Sequence, residues 1–464
     1  MEMKTKKIMA ACMLWACTLP MPAQKAYKYR VNLRDKAATA YSLGEPQAYL
    51  SQRALERRAK QGLPIDSTDL PVCGSYVEAL RSEGATPVVQ SKWNNTVVVQ
   101  VADTLLMEPI ARLPFVTAVR KVWTEPDSIP ARNPHRKKEV TNKTTRTDDH
   151  YGHARHQIAV HRGDSLHAAG FRGEGMHVAV IDAGFYNADA IDVFKKMHLI
   201  GTRDFVNPQS DIYAEHYHGM KVLSCMAANE PRVMVGTAPE ASYWLLRSED
   251  NDTEQPVEED YWAAALEFAD SVGVDVVNTS LGYYEFDDKS MNYRYRDLDG
   301  HRSLMSHSAS MAAGKGMVVV CSAGNSGRDA WKKITPPGDA ENVLTVGAMT
   351  HASVNADFSS VGPTADGRVK PDVMAVGVSS TVAGNDGTVS HANGTSFASP
   401  TFCGLVACFW QACPWLDAKQ VVRAMQEAGD RWDYPDNIFG YGIPDVWKAY
   451  RKEKASHEQA ATPQ

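Results

Sequence analysis

The chain has 464 residues, 44% of them hydrophobic and 22% charged, with a formal net charge of −6. That length exceeds what one compact core accommodates and calls for two domains. The negative balance argues against a general nucleic-acid binder, and the hydrophobic content fits a globular chain rather than a disordered one.

Residues 1–24 read as an export signal: Lys4, Lys6 and Lys7, an apolar core from Ile8 to Leu19, then Met21-Pro22-Ala23-Gln24 with a cut expected after Ala23. The apolar run is too short for a transmembrane anchor. Leu14-Trp15-Ala16-Cys17 also admits a lipoprotein box with Cys17 acylated, but Trp15 is an odd choice there and simple cleavage ranks ahead. The expected destination is the periplasm or the exterior. Past the signal, Cys73, Cys225, Cys321, Cys403, Cys408 and Cys413 show neither a disulfide framework nor metal spacing, and most read as buried free thiols.

Residues 25–123 form a small α+β unit on their pattern. Tyr27 to Leu33 alternates as a strand, 45–61 is a charged helix, and Tyr76 to Ser82 is helical. Val88-Val89 and Thr96 to Val101 are strands, Leu105 to Leu113 a helix and Phe115 to Val122 a closing strand. Residues 124–150 are a polar linker with a basic cluster at Arg132, His135, Arg136, Lys137 and Lys138, the kind of segment in which processing occurs.

In 151–452, strands alternate with helices, which implies an α/β, doubly wound, mostly parallel sheet with helices on both faces. His177 to Ile181 is a buried strand that delivers Asp182 at its tip, before a glycine turn. His218-Gly219 opens a helix. Then come strand 242–247, helix 257–272, strand 274–280, helix 303–313 and strand 317–322, which leads into Ala323-Gly324-Asn325. Strands at 343–348 and 373–376 precede Asn393-Gly394-Thr395-Ser396, a small-residue turn that runs into a helix over 396–413. Helices at 417–428 and 446–452 follow, and 453–464 is a polar tail expected to be disordered.

A carboxylate, an imidazole, an amide and a hydroxyl thus each stand at the end of a regular element. Those are the groups acyl transfer requires: an orienting acid, a general base, an oxyanion donor and a nucleophile. Each has an ordinary structural alternative: Asp182 a turn residue, His218 a structural histidine, Asn325 a tolerant turn position, Thr395-Ser396 a helix cap. Their occurrence together, in the order Asp, His, Asn, Ser, favours the chemical reading.

Over about residues 151 to 450 the chain resembles the subtilisin-like serine proteases, or subtilases. The likeness includes Val277-Asn278-Thr279-Ser280-Leu281-Gly282, Phe358-Ser359-Ser360-Val361-Gly362-Pro363, Lys370-Pro371-Asp372 and Gly440-Tyr441-Gly442. It implies a serine endopeptidase with Ser396 as nucleophile, His218 as base and then acid, Asp182 orienting the imidazole, and Asn325 in the oxyanion hole. By the same resemblance, Ser280, Leu281 and Gly282 with Ser322, Ala323 and Gly324 hold substrate backbone and wall the pocket. The expected partners are protein or peptide substrates, and residues 25–123 become a propeptide-like domain that acts as intramolecular inhibitor and folding chaperone; a permanent binding module is the alternative.

The chain departs from the family pattern at Ala183, where a hydroxyl residue is usual, at Met220-Lys221 and at Phe397. The mechanism requires no cofactor. Acidic stretches at 249–260 and 287–288 leave structural calcium open, but no ordered ligand spacing supports it, and no metal site is expected. The rival functional class is a catalytically impaired subtilase-fold binding protein. An esterase would show Gly-x-Ser-x-Gly with its acid after the serine, which this chain does not.

Overall fold

The computed structural model describes residues 25–128 and 140–461. The expected export signal, Cys17 and the basic cluster of the linker lie outside the described residues.

The first domain contains β1 (Tyr27–Leu33), α1 (Gln52–Lys60), α2 (Gly74–Ser82), β2 (Thr86–Ser91), β3 (Thr96–Val101), α3 (Met107–Ala111) and β4 (Val116–Thr124). Its strands form an antiparallel sheet in the order β2-β3-β1-β4. Strand alternation sends side chains two ways. Val31, Leu33, Val97 and Val99 join Val77, Leu80, Met107 and Ile110 in the domain's own core, whereas Val98, Val122 and Trp93 enter a core of the larger domain. The sheet is therefore packed on both faces. The helix expected over 45–61 begins only at Gln52, because Ser51 caps it by accepting from Ala54 N at 3.2 Å, and Pro46–Ala48 makes a separate 3-10 turn. The helix expected over 105–113 is a 3-10 turn, Thr104–Leu106, followed by the short α3.

The larger domain runs through α4 (Arg155–Ala159), α5 (Gly163–Ala168), β5 (His177–Asp182), β6 (His198–Asp204) and α6 (His218–Ala227). A two-residue ladder, β7 (Asn229–Glu230) with β8 (Met234–Val235), precedes β9 (Ser242–Arg247), α7 (Val257–Ser271), β10 (Val276–Thr279), α8 (Leu304–Gly314), β11 (Val318–Ser322), β12 (Leu344–Met349) and β13 (Val373–Val376). A hairpin, β14 (Ser380–Ala383) with β15 (Val389–Ala392), leads to α9 (Thr395–Ala412), α10 (Ala418–Glu427) and α11 (Val446–Ala461).

Seven strands form one sheet in the order β13-β12-β11-β10-β5-β9-β6, and every pairing in it is parallel. Along β5, Val178 and Val180 face the core shared with α6 and α9, while Ala179 and Ile181 face the core shared with α7 and α8. Helices therefore cover both faces, as the alternating pattern predicts. The chain lays β6 and β9 on one side of β5 and then crosses to β10 on the other. The tip of β5 is thus a topological switch point, where such sheets place their sites.

One expectation is corrected. The polar tail from 453 is not disordered through the described residues: α11 continues to Ala461. Strong helix formers carry it, the His457 ring stacks on Trp415 with centroids 4.2 Å apart, and Lys452 reaches Glu427. Most of the six cysteines past residue 24 are expected as buried free thiols, and all six are free and buried. Burial pushes Cys225 and Cys413 up to about 12 and the Cys321 and Cys408 thiols further still.

Candidate active site

Asp182 ends β5 and is fully buried. Its Oδ1 accepts from the Ala183 N–H at 2.8 Å and lies 2.7 Å from His218 Nδ1. Its Oδ2 is buried without a hydrogen-bond partner among the described residues, as the missing hydroxyl at Ala183 leads one to expect. His218 is the first residue of α6. Gly219 allows this approach, since a Cβ there would stand 2.4 Å from Gly184 O and 2.8 Å from Asp182 Cβ. Burial works against the imidazolium, but the charge of Asp182, its hydrogen bond and the charge of Glu249 outweigh it, so His218 is held above the ordinary histidine value.

Ser396 occupies the second position of α9, whose N-cap is Gly394. At that position its N–H has no intrahelical carbonyl to reach and carries part of the helix dipole. Ser396 Oγ makes a long contact of 3.4 Å to Ser280 O, and no hydrogen bond joins it to His218. The His218 ring nevertheless lies beside Phe397, the next residue along, with centroids 5.9 Å apart. A relay fixes the helix start against the sheet: Ser399 Oγ donates to Asn278 Oδ1 at 2.8 Å, Asn278 Nδ2 to Ser280 Oγ at 3.1 Å, and Ser280 Oγ to Ser396 O at 2.9 Å.

The Asn325 side chain is oriented by Thr395, which donates to its Oδ1 from the backbone at 2.9 Å and from Oγ1 at 3.0 Å. With the oxygen so engaged, the amide presents Nδ2 outward. The Ser280–Gly282 and Ser322–Gly324 segments flank Thr335, whose Oγ1 would lie 2.4 Å from a Cβ on Gly282 and 2.8 Å from one on Gly324. They differ in what they leave free. Ala323 N donates to Val346 O, Ala323 O accepts from Thr335 N, Gly324 N donates to Thr395 Oγ1, and Gly324 O accepts from Ser360 N. The second segment is thus engaged internally. Among the described residues Leu281 and Gly282 make no such backbone bonds, which leaves an edge an extended peptide can pair with.

Two groups escaped the sequence reading. Glu249, two residues past β9, accepts from Tyr283 Oη at 3.4 Å. Burial, then the charge of Asp182, pushes its carboxyl up to about 7 against the pull of His218, Tyr283 and Arg247. Gln255 clasps the end of β4: its Oε1 accepts from Thr124 N at 2.8 Å and its Nε2 donates to Thr124 O at 3.0 Å. Both lie in a polar, acidic stretch that reads as a solvated loop. Among the described residues no three His, Cys, Asp or Glu side chains converge as a metal site would need, and no helix is long and apolar enough to cross a membrane.

Residues 173–442 match the Subtilase family and residues 28–141 the Peptidase S8 propeptide domain of Bacteroidota. Serine protease AprX of Bacillus subtilis (strain 168) is 30% identical over 303 residues, which cover 58% of this chain and 65% of that one, so the chain spans a little under two thirds of this relative. Subtilisin DY of Bacillus licheniformis is 29% identical over 269 residues, covering 57% of this chain and 87% of that one. Among solved structures, MycP1 with its N-terminal propeptide removed superposes with a TM-score of 0.51 at 22% identity, over 64% of this chain and 96% of that one. A second structure, MycP1 from the ESX-1 type VII secretion system, gives 0.52 at 21% identity, over 67% and 88%, and both likenesses bear on the fold alone. Taken with a seven-stranded parallel sheet in which the strand at the topological switch point ends in Asp182, these matches make the chain a member of the subtilase family of serine-type peptidases, with a propeptide domain ahead of its peptidase domain.

Proposed function

We propose that this chain is an exported serine endopeptidase that hydrolyses peptide bonds through an acyl-enzyme on Ser396. His218 Nε2 takes the Ser396 Oγ proton as the oxygen attacks the scissile carbonyl, and Asp182 on Nδ1 holds the tautomer and stabilises the imidazolium. The oxyanion is received by Asn325 Nδ2 and the Ser396 N–H, and the side-chain donor contributes about 3 kcal/mol by analogy with measured losses. His218 then protonates the leaving amine, and a water repeats the sequence on the acyl ester. No step needs a cofactor. The observation that carries this reading is the 2.7 Å Asp182–His218 contact set beside the helix start that bears Ser396.

The N-terminal domain acts in this reading as intramolecular inhibitor and folding chaperone, supported by the Gln255 clasp on Thr124 and by buried ion pairs such as Arg30 to Asp260, 2.6 Å. Export rests on the residue pattern of 1–24. The test is intact mass of the export-mature protein beside its Ser396→Ala variant. Loss of the N-terminal domain in the wild type and not in the variant is the expected result; two whole proteins would count against it. A non-cleaving binding scaffold is favoured by one observation, that Ser396 Oγ reaches Ser280 O rather than His218. Labelling of Ser396 by a fluorophosphonate decides between the two readings, because only an activated serine reacts.

A further inference from the structure

The loop after β9 supplies a group that the reaction outlined above does not use. In the parallel register of β5 and β9, Asp182 stands opposite Arg247, so Glu249 leaves the sheet at the same edge as the triad carboxylate. Ser248 N donates to Asp182 O at 3.1 Å, which ties the root of this loop to the strand tip. On the far side, Tyr283, directly after the Ser280–Gly282 edge, donates its hydroxyl to Glu249 at 3.4 Å. Glu249 is thus held between the triad and the edge on which substrate backbone would lie.

Glu249 has no ion pair among the described residues. Arg247, the nearest cation in sequence, faces away: its Nη1 lies 2.8 Å from Asp204 and its Nη2 3.4 Å from Glu215. The other charged neighbours are Asp182 and His218, with Glu254 and Glu258 behind. A cation sits beside the neighbouring acids Asp250 and Glu258 in the uncleaved chain. Lys28 of the N-terminal domain donates to Tyr261 Oη at 2.8 Å, lies over the Trp123 ring, and is within reach of the charges of Asp250 and Glu258. Removal of that domain takes Lys28 away.

The strand order says which substrate residue meets Glu249. Successive side chains of an extended peptide point to opposite sides. The segments after β10 and β11 wall the pocket on one side of β5, for the residue before the cut. Glu249, after β9, lies on the other side of β5.

Resting on the reading of the site above, we propose that Glu249 is a specificity-determining residue that selects a lysine or arginine at the second position on the amino side of the cut bond. The linker carries Arg132, Arg136, Lys137 and Lys138, so the chain's own sequence offers such residues where processing is expected.

The experiment compares kcat/KM for two fluorogenic peptides that differ only at that second position, lysine against norleucine, with the mature protein and its Glu249→Gln variant. The readout is the lysine-to-norleucine ratio, which is indifferent to overall activity. At pH 8.5 the wild type should favour lysine by roughly tenfold, as one partly desolvated charge pair allows, and the variant should bring the ratio near one. Since the Glu249 carboxyl is pushed up to about 7, it is ionised above that pH and neutral below it, so the wild-type ratio should also collapse toward pH 5.5. That second measurement needs no variant and stands if Glu249→Gln does not fold. A wild-type ratio near one at pH 8.5, or equal ratios in the two proteins, overturns the proposal. A wild type that neither reacts with a fluorophosphonate nor cleaves either peptide overturns the reading of the site, and this inference with it.

Discussion

The interface between the two domains and the cleft beside it treat buried polar groups in opposite ways. At the interface, Asp270 of α7 receives Arg57, Arg58 and Lys92 from the N-terminal domain, the last at 3.2 Å. Arg30 binds Asp260 with two bonds of 2.6 and 2.7 Å, and the Glu267 carboxylate accepts from the N–H groups of Lys92 at 2.7 Å and Trp93 at 3.1 Å. In the cleft, among the described residues, Asp182 Oδ2 has no partner, Ser396 Oγ makes only its long contact, and the Leu281–Gly282 backbone edge is unpaired. An interface is complementary to what is present in the ground state, whereas a cleft that stabilises a transition state keeps donors and acceptors in reserve.

The sharpest way to break that contrast is Asp182→Asn, which keeps the shape and removes the charge on Nδ1. If the cleft is arranged for a passing imidazolium, kcat should fall roughly ten-thousand-fold while the fold persists, measured on a peptide substrate. A loss below about tenfold would mean the Asp182–His218 contact is merely structural. Next in size is Asp270→Asn, made in the Ser396→Ala background so that the chain stays whole. Three buried cations would lose their common counter-charge, and urea unfolding should report about 3–5 kcal/mol less stability. An unchanged midpoint and slope would show that the interface is no better matched than the cleft.

Asn325→Ala tests the reserve directly. About a hundred- to thousandfold loss in kcat with KM little changed is expected, because the amide meets charge only in the transition state. A rise in KM alone would assign Asn325 to ground-state binding. The smallest effect concerns pH. His218 must be neutral to accept a proton, and its pKa is held up by Asp182 and Glu249 against burial. The acid limb of kcat/KM should therefore fall away at a pH above the usual imidazole value of about 6.5. A limb at or below that value would mean burial outweighs both carboxylates.

What was legible in the sequence followed from strong local patterns. The apolar run ending in Asp182, the His218-Gly219 opening of α6 and the small-residue entry to α9 are each marked within a few residues, and the structure gives each its expected element. Less legible was anything decided by distant partners. Arg57 and Arg58 look like a solvated helix face, yet they are buried, because Asp270 lies more than two hundred residues away in the chain and cancels their charge. Strand β6 escaped because it is an edge whose residues are mostly exposed, so no buried stripe marks it. Helix α11 was cut short because its last turns carry no large apolar residue, and the Trp415–His457 stack reveals what they pack against. Glu249 sat in an acidic loop, and nothing local distinguishes a carboxylate beside a histidine from one in water.

The buried thiols also amount to a set of clocks distributed through the molecule. Cys73 lies in the N-terminal domain, Cys225 on α6 behind His218, Cys321 at the end of β11, and Cys403 and Cys408 along α9. A fully buried thiol cannot be alkylated until its surroundings open. The order in which these sulfurs take up a mass-tagged reagent would time, residue by residue, which parts of the chain loosen first, with no residue changed.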